Sequence, residues 1–547
     1  MNCENPIIQI YHSQHHANTR IGFIDILLDE TLITGTIYVP RICLRQVSTL
    51  NSRLPARQIY EFLLRLALVF PVGLSDTMPE EPDTYLILEC QETSVTLEGL
   101  QTDCYIVARY RQILLEQQLF DAAVSSILTS ADRIGCREQL IPFLEAMLKK
   151  QHPYPYFFQG SQPFLIYTGD TICYQILSVF ARCLGEALQK QGYLVEYFDL
   201  SKETHAAISR YIGQSFQAVI GMQTYLFSIR LKDGRFLHDS IDGPKYNFIF
   251  DHPVWMREYL KAVPEHFTVF TLDRNYPPFI QKYYPVRAKF FPPGGMTGPS
   301  SDSRRIYDLT FVGSYINNAE EISVELKLLS RPMRFLVNHF WMNMRRFPEQ
   351  PAEHALFLAL NHSNQNLTDT EFLDLFYSLR KFILYMSYHF RYQLIKAIVD
   401  SGTRLHVFGN TWESCPLRSN PNLIWHEADL SAEECLTVWQ QSRLTLNMMS
   451  WHKDAITERI TNSMLQKTAV LTECNPYLEE QYQDGRDIIF YSLKDLHQVP
   501  EQIRTLLASP EYLAAVGEHG YEKTVHTHTW DCRAERLIKI AQADAGG

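Results

Sequence analysis

The amino-acid sequence predicts an α/β protein in which two parallel-sheet units face each other across a cleft. Three observations predict it. Short apolar runs alternate with helical stretches from Phe164 onwards, and the same alternation restarts at Tyr307. That spacing implies strand–helix–strand units with right-handed crossovers. The stretch FFPPGGMTGPSSDS, Phe290 to Ser303, separates the two blocks with the Pro and Gly content of a hinge. At 547 residues the chain exceeds one ordinary core and calls for about three folding units.

Taken in order, residues 1–95 alternate strand-like runs with one helix, TLITGTIYVPRICLRQV and then PARQIYEFLLRLALVF. Residues 96–158 keep a helical period through DCYIVARYRQILLEQQLFDAAVSSILTSADRIGCREQLIPFLEAMLKK, which reads as two or three helices, and run into the linker QHPYPYFFQGSQP. The first α/β unit, 159–300, offers the strands FLIYTG, LVEYFDL, FQAVIGMQ, KYNFIFDHP and FTVFTLD, with a long helix that stops at Gly192. The second, 301–547, opens with YDLTFVGSY and is interrupted by a nearly all-helical insertion at about 318–400. It resumes with RLHVFGNTW, NLIWHEADLS, LTLNMM, TAVLTE and DIIFYSL. Between the last-but-two and last-but-one of these, Asp454 could cap a helix from Ala455 to Gln466.

Composition narrows the function. Hydrophobic residues at 46% and charged ones at 20% describe a globular chain. The 30 Tyr and 31 Phe suit large cores first and sugar-stacking surfaces second. A net charge of −11 without a basic block argues against a nucleic-acid partner. Eleven cysteines without a CxxC or other metal-ligand spacing read as reduced thiols. The start MNCENPIIQIYHSQHH lacks a signal-peptide pattern, and the most apolar run, FLLRLALVFPVGL, is short and broken by Arg65. A cytoplasmic protein without a transmembrane segment is expected, with peripheral membrane association left open.

In open parallel sheets, ligands sit beyond the carboxyl ends of the strands. In the second unit those positions are Gly313 and Ser314, then Gly409, Asn410 and Trp412, then His426 and Glu427, and Asn447. Small residues there let backbone approach a phosphate. On the helix before TAVLTE, Ile456, Ile460 and Met464 form a buried stripe, and Arg459 and Asn462 lie on nearly the opposite face with Glu458 beside them. In the first unit, Asp251 and His252 follow a strand and could orient or deprotonate an acceptor hydroxyl. Asp273 and Arg274, and Gly169 and Asp170, hold similar positions.

The run YDLTFVGSY, LHVFGNTW, IWHEADLS, SRLTLNMM and ERITNSMLQKTAVLTECNPYLEEQYQDGRDIIFYSLKDL, closed by HGYEKTVHTHTW, resembles the C-terminal domain of GT-B glycosyltransferases. It is most similar to the spore maturation protein-like CgeB/YkvP branch and related group 1 transferases. The resemblance implies two Rossmann-like domains, with residues 159–300 on the acceptor side. It implies a transferase moving a sugar from a nucleotide-activated donor to a hydroxyl of a glycan or protein, with retention; no DxD metal site stands out in this block, so neither a divalent cation nor a cofactor is expected. Arg459 would contact the donor diphosphate, and His426 and Glu427 would border the base. The family often has Glu where Asn462 stands and Gly where Lys467 stands. Two other readings stay open: a scaffold or binding protein that has lost turnover, and another nucleotide-sugar enzyme such as an epimerase.

The N-terminal 95 residues resemble a truncated family 2 glycosyltransferase. Gln58, Tyr60, Glu61 and Arg65 fit its pattern, but Ile59 stands at the place of the usual catalytic Asp. Isoleucine can neither accept a proton nor bind a cation, so no catalysis is expected there.

Overall fold

The computed structural model describes residues 7–546 except 12–18, 30–31, 33, 42, 44–53, 55, 76, 78–83, 91–94, 149–161, 170–175, 299–303, 316–317, 364, 428–429 and 450. Most of the expected 151–163 linker, the end of the expected hinge, and Asp170 lie outside the described residues.

Three sheets organise the described residues. The first is five-stranded and mixed: β1 (Ile8–Tyr11), β2 (Arg20–Ile21), β3 (Gly35–Pro40), β4 (Val72–Ser75) and β5 (Tyr85–Cys90), in the order β2-β4-β1-β3-β5. Helix Gln58–Ala67 packs on it. Within that helix Glu61 and Arg65 neutralise each other at 2.8 Å with both side chains buried, and Ile59 joins the apolar packing. Among the described residues, the helical segment that follows contains four helices, Leu97–Arg109, Arg111–Glu116, Phe120–Ile134 and Arg137–Leu148, one more than the upper expectation. The chain breaks between the second and third of these around Gln118, which turns through a positive φ of 58°.

The second and third sheets are the two predicted units, each six-stranded and parallel throughout. The second holds β6 (Phe164–Thr168), β7 (Val195–Asp199), β8 (Ala218–Met222), β9 (Lys245–Ile249), β10 (Phe267–Thr271) and β11 (Arg287–Phe290) in the order β11-β10-β9-β8-β6-β7. The third holds β12 (Tyr307–Val312), β13 (Leu405–Phe408), β14 (Leu423–His426), β15 (Ser442–Leu446), β16 (Ala469–Glu473) and β17 (Ile489–Tyr491) in the order β14-β13-β12-β15-β16-β17. The central strands β8, β9, β10 and β16 are buried at every residue, as strands covered by helices on both faces must be.

Two corrections concern how the units are bounded. The helical insertion does not belong to the second unit alone. Its helices Ala319–Leu328, Arg331–Arg346, Ala352–His362 and Asp369–Ser378 share one hydrophobic core with the first unit, where Phe340 and Phe376 join Phe279 and Ile280. The last helix, Arg380–Asp400, buries Leu394, Ile395, Ile398 and Val399 against β12 and β13, so its C-terminal half is the ordinary crossover to β13. The chain end also changes partner. Helix Trp530–Gly546 returns to the first unit and packs Trp530, Ala534 and Leu537 against Phe180 and Leu184.

The Pro/Gly stretch runs beside that return. Gly295 N–H donates to His528 C=O at 2.7 Å, and a Cβ on Gly294 would lie 2.5 Å from the Trp530 nitrogen, which is why glycine stands there. The Pro/Gly stretch and this return thus join the lobes, beside the two passages that lead into and out of the helical excursion. The lobes also touch directly through Asp273, whose carboxylate accepts N–H groups from Lys453 and Asp454 across the gap.

Candidate functional site

Helix Glu458–Leu465 places the central cation. Ile456, Ile460 and Met464 are buried, as the periodicity requires. The helix starts at Glu458, not at Ala455, and Asp454 does not cap it. Asp454 donates its N–H to Asp273 at 3.1 Å and accepts from Arg274 N–H at 3.0 Å, and Ala455 forms an antiparallel bridge to Asp273. Backbone groups bound across the lobes hold this stretch extended. On the face opposite the apolar stripe, Asn462 and Gln466 are buried as well. Asn462 accepts from Met296 N–H at 2.7 Å, and Gln466 accepts from Gly298 N–H at 3.2 Å, both on the interlobe linker. Lys467 ends the helix at a φ of +57°, the left-handed position where glycine is cheapest.

Arg459 is 25% exposed and stands at the junction of two cavities. One of about 250 Å³ lies over the ends of β12 and β13, between Gly313, Ser314, Gly409, Asn410 and Asn462, with apolar walls from Phe408 and Trp439. The other, about 240 Å³, opens toward the first unit, where Asp251, Gln223 and Phe250 line it. Glu458 borders both. A Cβ on Gly313 would sit 3.3 Å from Arg459 Nη1, so the guanidinium lies directly over this loop. Gly409, at φ +143°, would place a Cβ 2.7 Å from the Gly313 backbone, so the two loops stack main chain on main chain. No other residue permits that approach.

Sequence reasoning missed Arg391. It projects from helix Arg380–Asp400 into the second cavity, 7% exposed, and donates from Nη1 to Ser314 C=O at 2.8 Å. Burial, then the neighbouring Arg459, pulls its pKa down to about 10. A signal was present, because Arg391, Leu394, Ile395 and Ile398 repeat at i, i+3, i+4 and i+7, which puts a charge in an apolar stripe. His452, also missed, borders the same cavity and bonds the Tyr276 hydroxyl through Nδ1 at 2.8 Å. Burial and Arg459 push its pKa down to about 3, so the ring is neutral. Two guanidiniums of like charge at one low-dielectric site favour an anion between them.

Asp251 is the first unit's contribution. Its Oδ2 accepts from Gln223 Nε2 at 2.6 Å, and burial raises its pKa against the opposing effect of that bond. His252 does not join it. The ring is 2% exposed, Nδ1 accepts from Val254 N–H at 3.1 Å, and Nε2 faces Glu353 at 3.2 Å. With Nδ1 accepting, the proton sits on Nε2, and the residue locks the loop after β9 onto the helical excursion.

Four expected second-unit residues also stand outside the cavities. Trp412 is fully buried in the core and donates to Gly313 C=O at 2.9 Å, supporting the loop from behind. Asn447 bonds Thr472 Oγ1 at 3.0 Å between strands. His426 stacks on Phe408 with ring centroids 4.2 Å apart, and Glu427 is exposed beyond it. In each case the strand end is right and the side chain points elsewhere. Asp273 and Arg274 serve the lobe contact, and Gly169, at φ +82°, turns tightly against Asp199 and Ser201. Among the described residues no group of three or more His, Cys, Asp or Glu could hold a metal ion, and no helix is long and apolar enough to cross a membrane.

Residues 391–539 match the family described as glycosyl transferase-like, so the region carrying Arg391, Gly409, Arg459 and Asn462 is glycosyl transferase-like. Among solved structures, sucrose-phosphate synthase from Thermosynechococcus elongatus is similar at 10% identity over 71% of this chain and 100% of its own, with a TM-score of 0.41. The DNA-modifying enzyme β-glucosyltransferase, studied with and without uridine diphosphoglucose, aligns at 10% identity over 69% of this chain and 98% of its own, TM-score 0.41. AviGT4, a glycosyltransferase involved in avilamycin A biosynthesis, aligns at 12% identity over 71% and 99%, TM-score 0.40. No curated protein matches the chain.

Proposed function

We propose that the chain is a glycosyltransferase of two facing Rossmann-like lobes that transfers a sugar from a nucleoside diphosphate to a hydroxyl of a glycan or protein. The observation that carries this reading is the pair Arg459 and Arg391 beside the glycine loop at Gly313, opposite the Asp251 carboxylate. The cavity over β12 and β13, apolar at Phe408 and Trp439 and amide-lined at Asn410 and Asn462, takes the nucleoside. The diphosphate lies at Arg459, and the sugar and acceptor meet in the second cavity.

As the glycosidic bond to phosphate breaks, negative charge grows on the leaving diphosphate. A fixed guanidinium stabilises that charge most where water is excluded. Retention, which the family resemblance implies, lets a leaving phosphate oxygen take the acceptor proton, with Asp251 holding the acceptor hydroxyl. The two arginines supply the countercharge that a divalent cation would otherwise provide. Residues 1–95 act as a non-catalytic module, docked through the neighbouring helical segment, where Arg109 pairs with Asp242 at 2.5 Å with almost no exposure.

One observation favours the scaffold alternative: the Asn462 oxygen is already bound by Met296 N–H, and this position bears no carboxylate for a ribose. Thermal-shift titration with nucleoside diphosphates, followed by donor hydrolysis assays, separates the two readings. Saturation at 100 times the dissociation constant stabilises by about 2.7 kcal/mol. A shift with hydrolysis that disappears in Arg459→Ala supports the transferase. A shift without turnover supports the scaffold, and no shift with any diphosphate refutes the donor site.

A further inference from the structure

We propose that the outer face of helix Arg331–Arg346, with the corner that leads into it, docks on an anionic lipid bilayer. This surface lies on the helical excursion, outside the cleft, and the transfer reaction makes no use of it. The inner face is satisfied, since Leu336, Val337 and Phe340 are buried in the core shared with the first unit. The outer face is not. Phe335 is 51% exposed and Met342 45%, and at the preceding corner Leu328 is 80% exposed and Val324 56%. The adjoining helix Ala352–His362 adds Phe357 at 52%. Five large apolar side chains exposed on one excursion exceed the scattered single residues that need no explanation.

The charges on helix Arg331–Arg346 have one sign, whereas Glu320, Glu321 and Glu325 share the preceding helix with Val324 and Leu328. Arg331, Arg334, Arg345 and Arg346 are exposed on the same helix, with Lys327 just before it. None of these five cations pairs with a carboxylate among the described residues. By contrast, Lys381 of the same excursion binds both Glu321 and Glu325 at 2.6 Å. On a chain of net charge −11, a local run of unpaired guanidiniums among protruding apolar tips is a marked inversion. An anionic bilayer answers both features at once. Lipid phosphates accept from the guanidiniums, and Leu328 and Phe335 enter the headgroup layer, as on amphipathic helices that lie in the interface plane.

Co-sedimentation of the full chain with vesicles tests this, using phosphatidylcholine alone and phosphatidylcholine mixed with phosphatidylserine, at low and high salt. Binding to the mixed vesicles only, lost at high salt, is expected. The double change Arg331→Glu and Arg334→Glu should weaken binding by at least about fivefold per arginine removed. Leu328→Ser with Phe335→Ser should weaken it again, while the melting temperature of both variants stays at the wild-type value. No binding, equal binding to neutral vesicles, or binding unchanged in both variants overturns the proposal. So does concentration-dependent self-association that both variants abolish without any vesicle binding, which would assign the face to a second copy of the chain.

Discussion

The carboxyl edges of the two parallel sheets share strand number and direction, yet they carry opposite chemistry. Beyond β12 and β13 the loops are glycine-poised, and the guanidiniums of Arg459 and Arg391 reach them, with the Glu458 carboxylate 3.9 Å from Arg459. Beyond β8 and β9 the loops carry an amide and a carboxylate, Gln223 and Asp251, bonded to each other beside Phe250. One scaffold thus yields a cationic edge and an acidic edge. The contrast teaches that loop chemistry, not sheet topology, decides which half of a reaction each lobe can serve. Each prediction below breaks or sharpens that asymmetry.

The largest effect is expected at Arg459. Arg459→Ala removes the donor that stands over Gly313 and should raise the barrier by about 3 kcal/mol, close to 150-fold in turnover, by comparison with oxyanion-type donors. Arg459→Lys should recover part of the charge but not the bidentate geometry. Single-turnover donor cleavage measures both. A loss of less than tenfold in the alanine variant would remove the cationic edge from the mechanism.

Asp251→Asn probes the acidic edge. A charged hydrogen bond to an acceptor hydroxyl contributes about 2 kcal/mol, so the acceptor kcat/KM should fall about thirtyfold. The nucleotide-induced thermal shift should not change. The pH dependence follows from the raised pKa of this carboxyl. Activity needs the ionised form, so the rate should fall on the acid side as pH drops through a value above the ordinary 3.8, and Asp251→Asn should lack that limb. For stability the sign is reversed. A folded-state pKa above the unfolded one favours the protonated native form, so this contribution is present at low pH and lost as pH rises through the folded value. The asparagine variant should therefore show the flatter stability profile.

Legibility in the sequence followed the same divide between backbone and side chain. Strands rich in apolar residues announce themselves as short runs, so β6–β10 and β12–β17 were readable, the edge strands β7, β14 and β17 included. β11, RAKF, was not, because two of its four residues are exposed cations. Gly313, Gly409 and Arg459 were readable as post-strand and helix-face positions. Trp412, Asn447 and His252 follow strands equally well, yet they point into cores, and a direction set by tertiary packing leaves no trace in spacing. Asp454 looked like a cap because its partner, Asp273, lies far away in the sequence. Arg391 was hidden inside a segment read as pure insertion, where only its place in an apolar stripe gave it away.

Arg391→Met separates binding from folding on the cationic edge. Methionine keeps the volume and removes a charge that burial disfavours. Donor affinity should fall about tenfold, the equivalent of 1.4 kcal/mol. The nucleotide-free protein should melt at the same temperature or higher, because losing the bond to Ser314 C=O is offset by relief of the desolvated charge. Equal losses in stability and affinity would instead make Arg391 a structural residue.

The smallest effect is expected where the two edges meet. Arg274 and Glu480 bridge the lobes with an Nη2–Oε2 distance of 2.5 Å, but their side chains are 31% and 56% exposed. Such pairs contribute at most about 1 kcal/mol, because water and salt screen them and two long side chains must be ordered. The neighbouring Asp273 is fully buried and accepts backbone N–H groups from Lys453, Asp454 and Asn275. These bonds fix the extended segment that leads into the Arg459 helix. Arg274→Ala, Glu480→Ala and the double variant should therefore differ little in urea denaturation and not at all in donor cleavage. A coupling energy well above about 1 kcal/mol, or a change in turnover, would move control of the lobe contact from the buried carboxylate to the exposed pair. The geometry that aims Arg459 would then depend on salt, which its present anchoring to main-chain donors argues against.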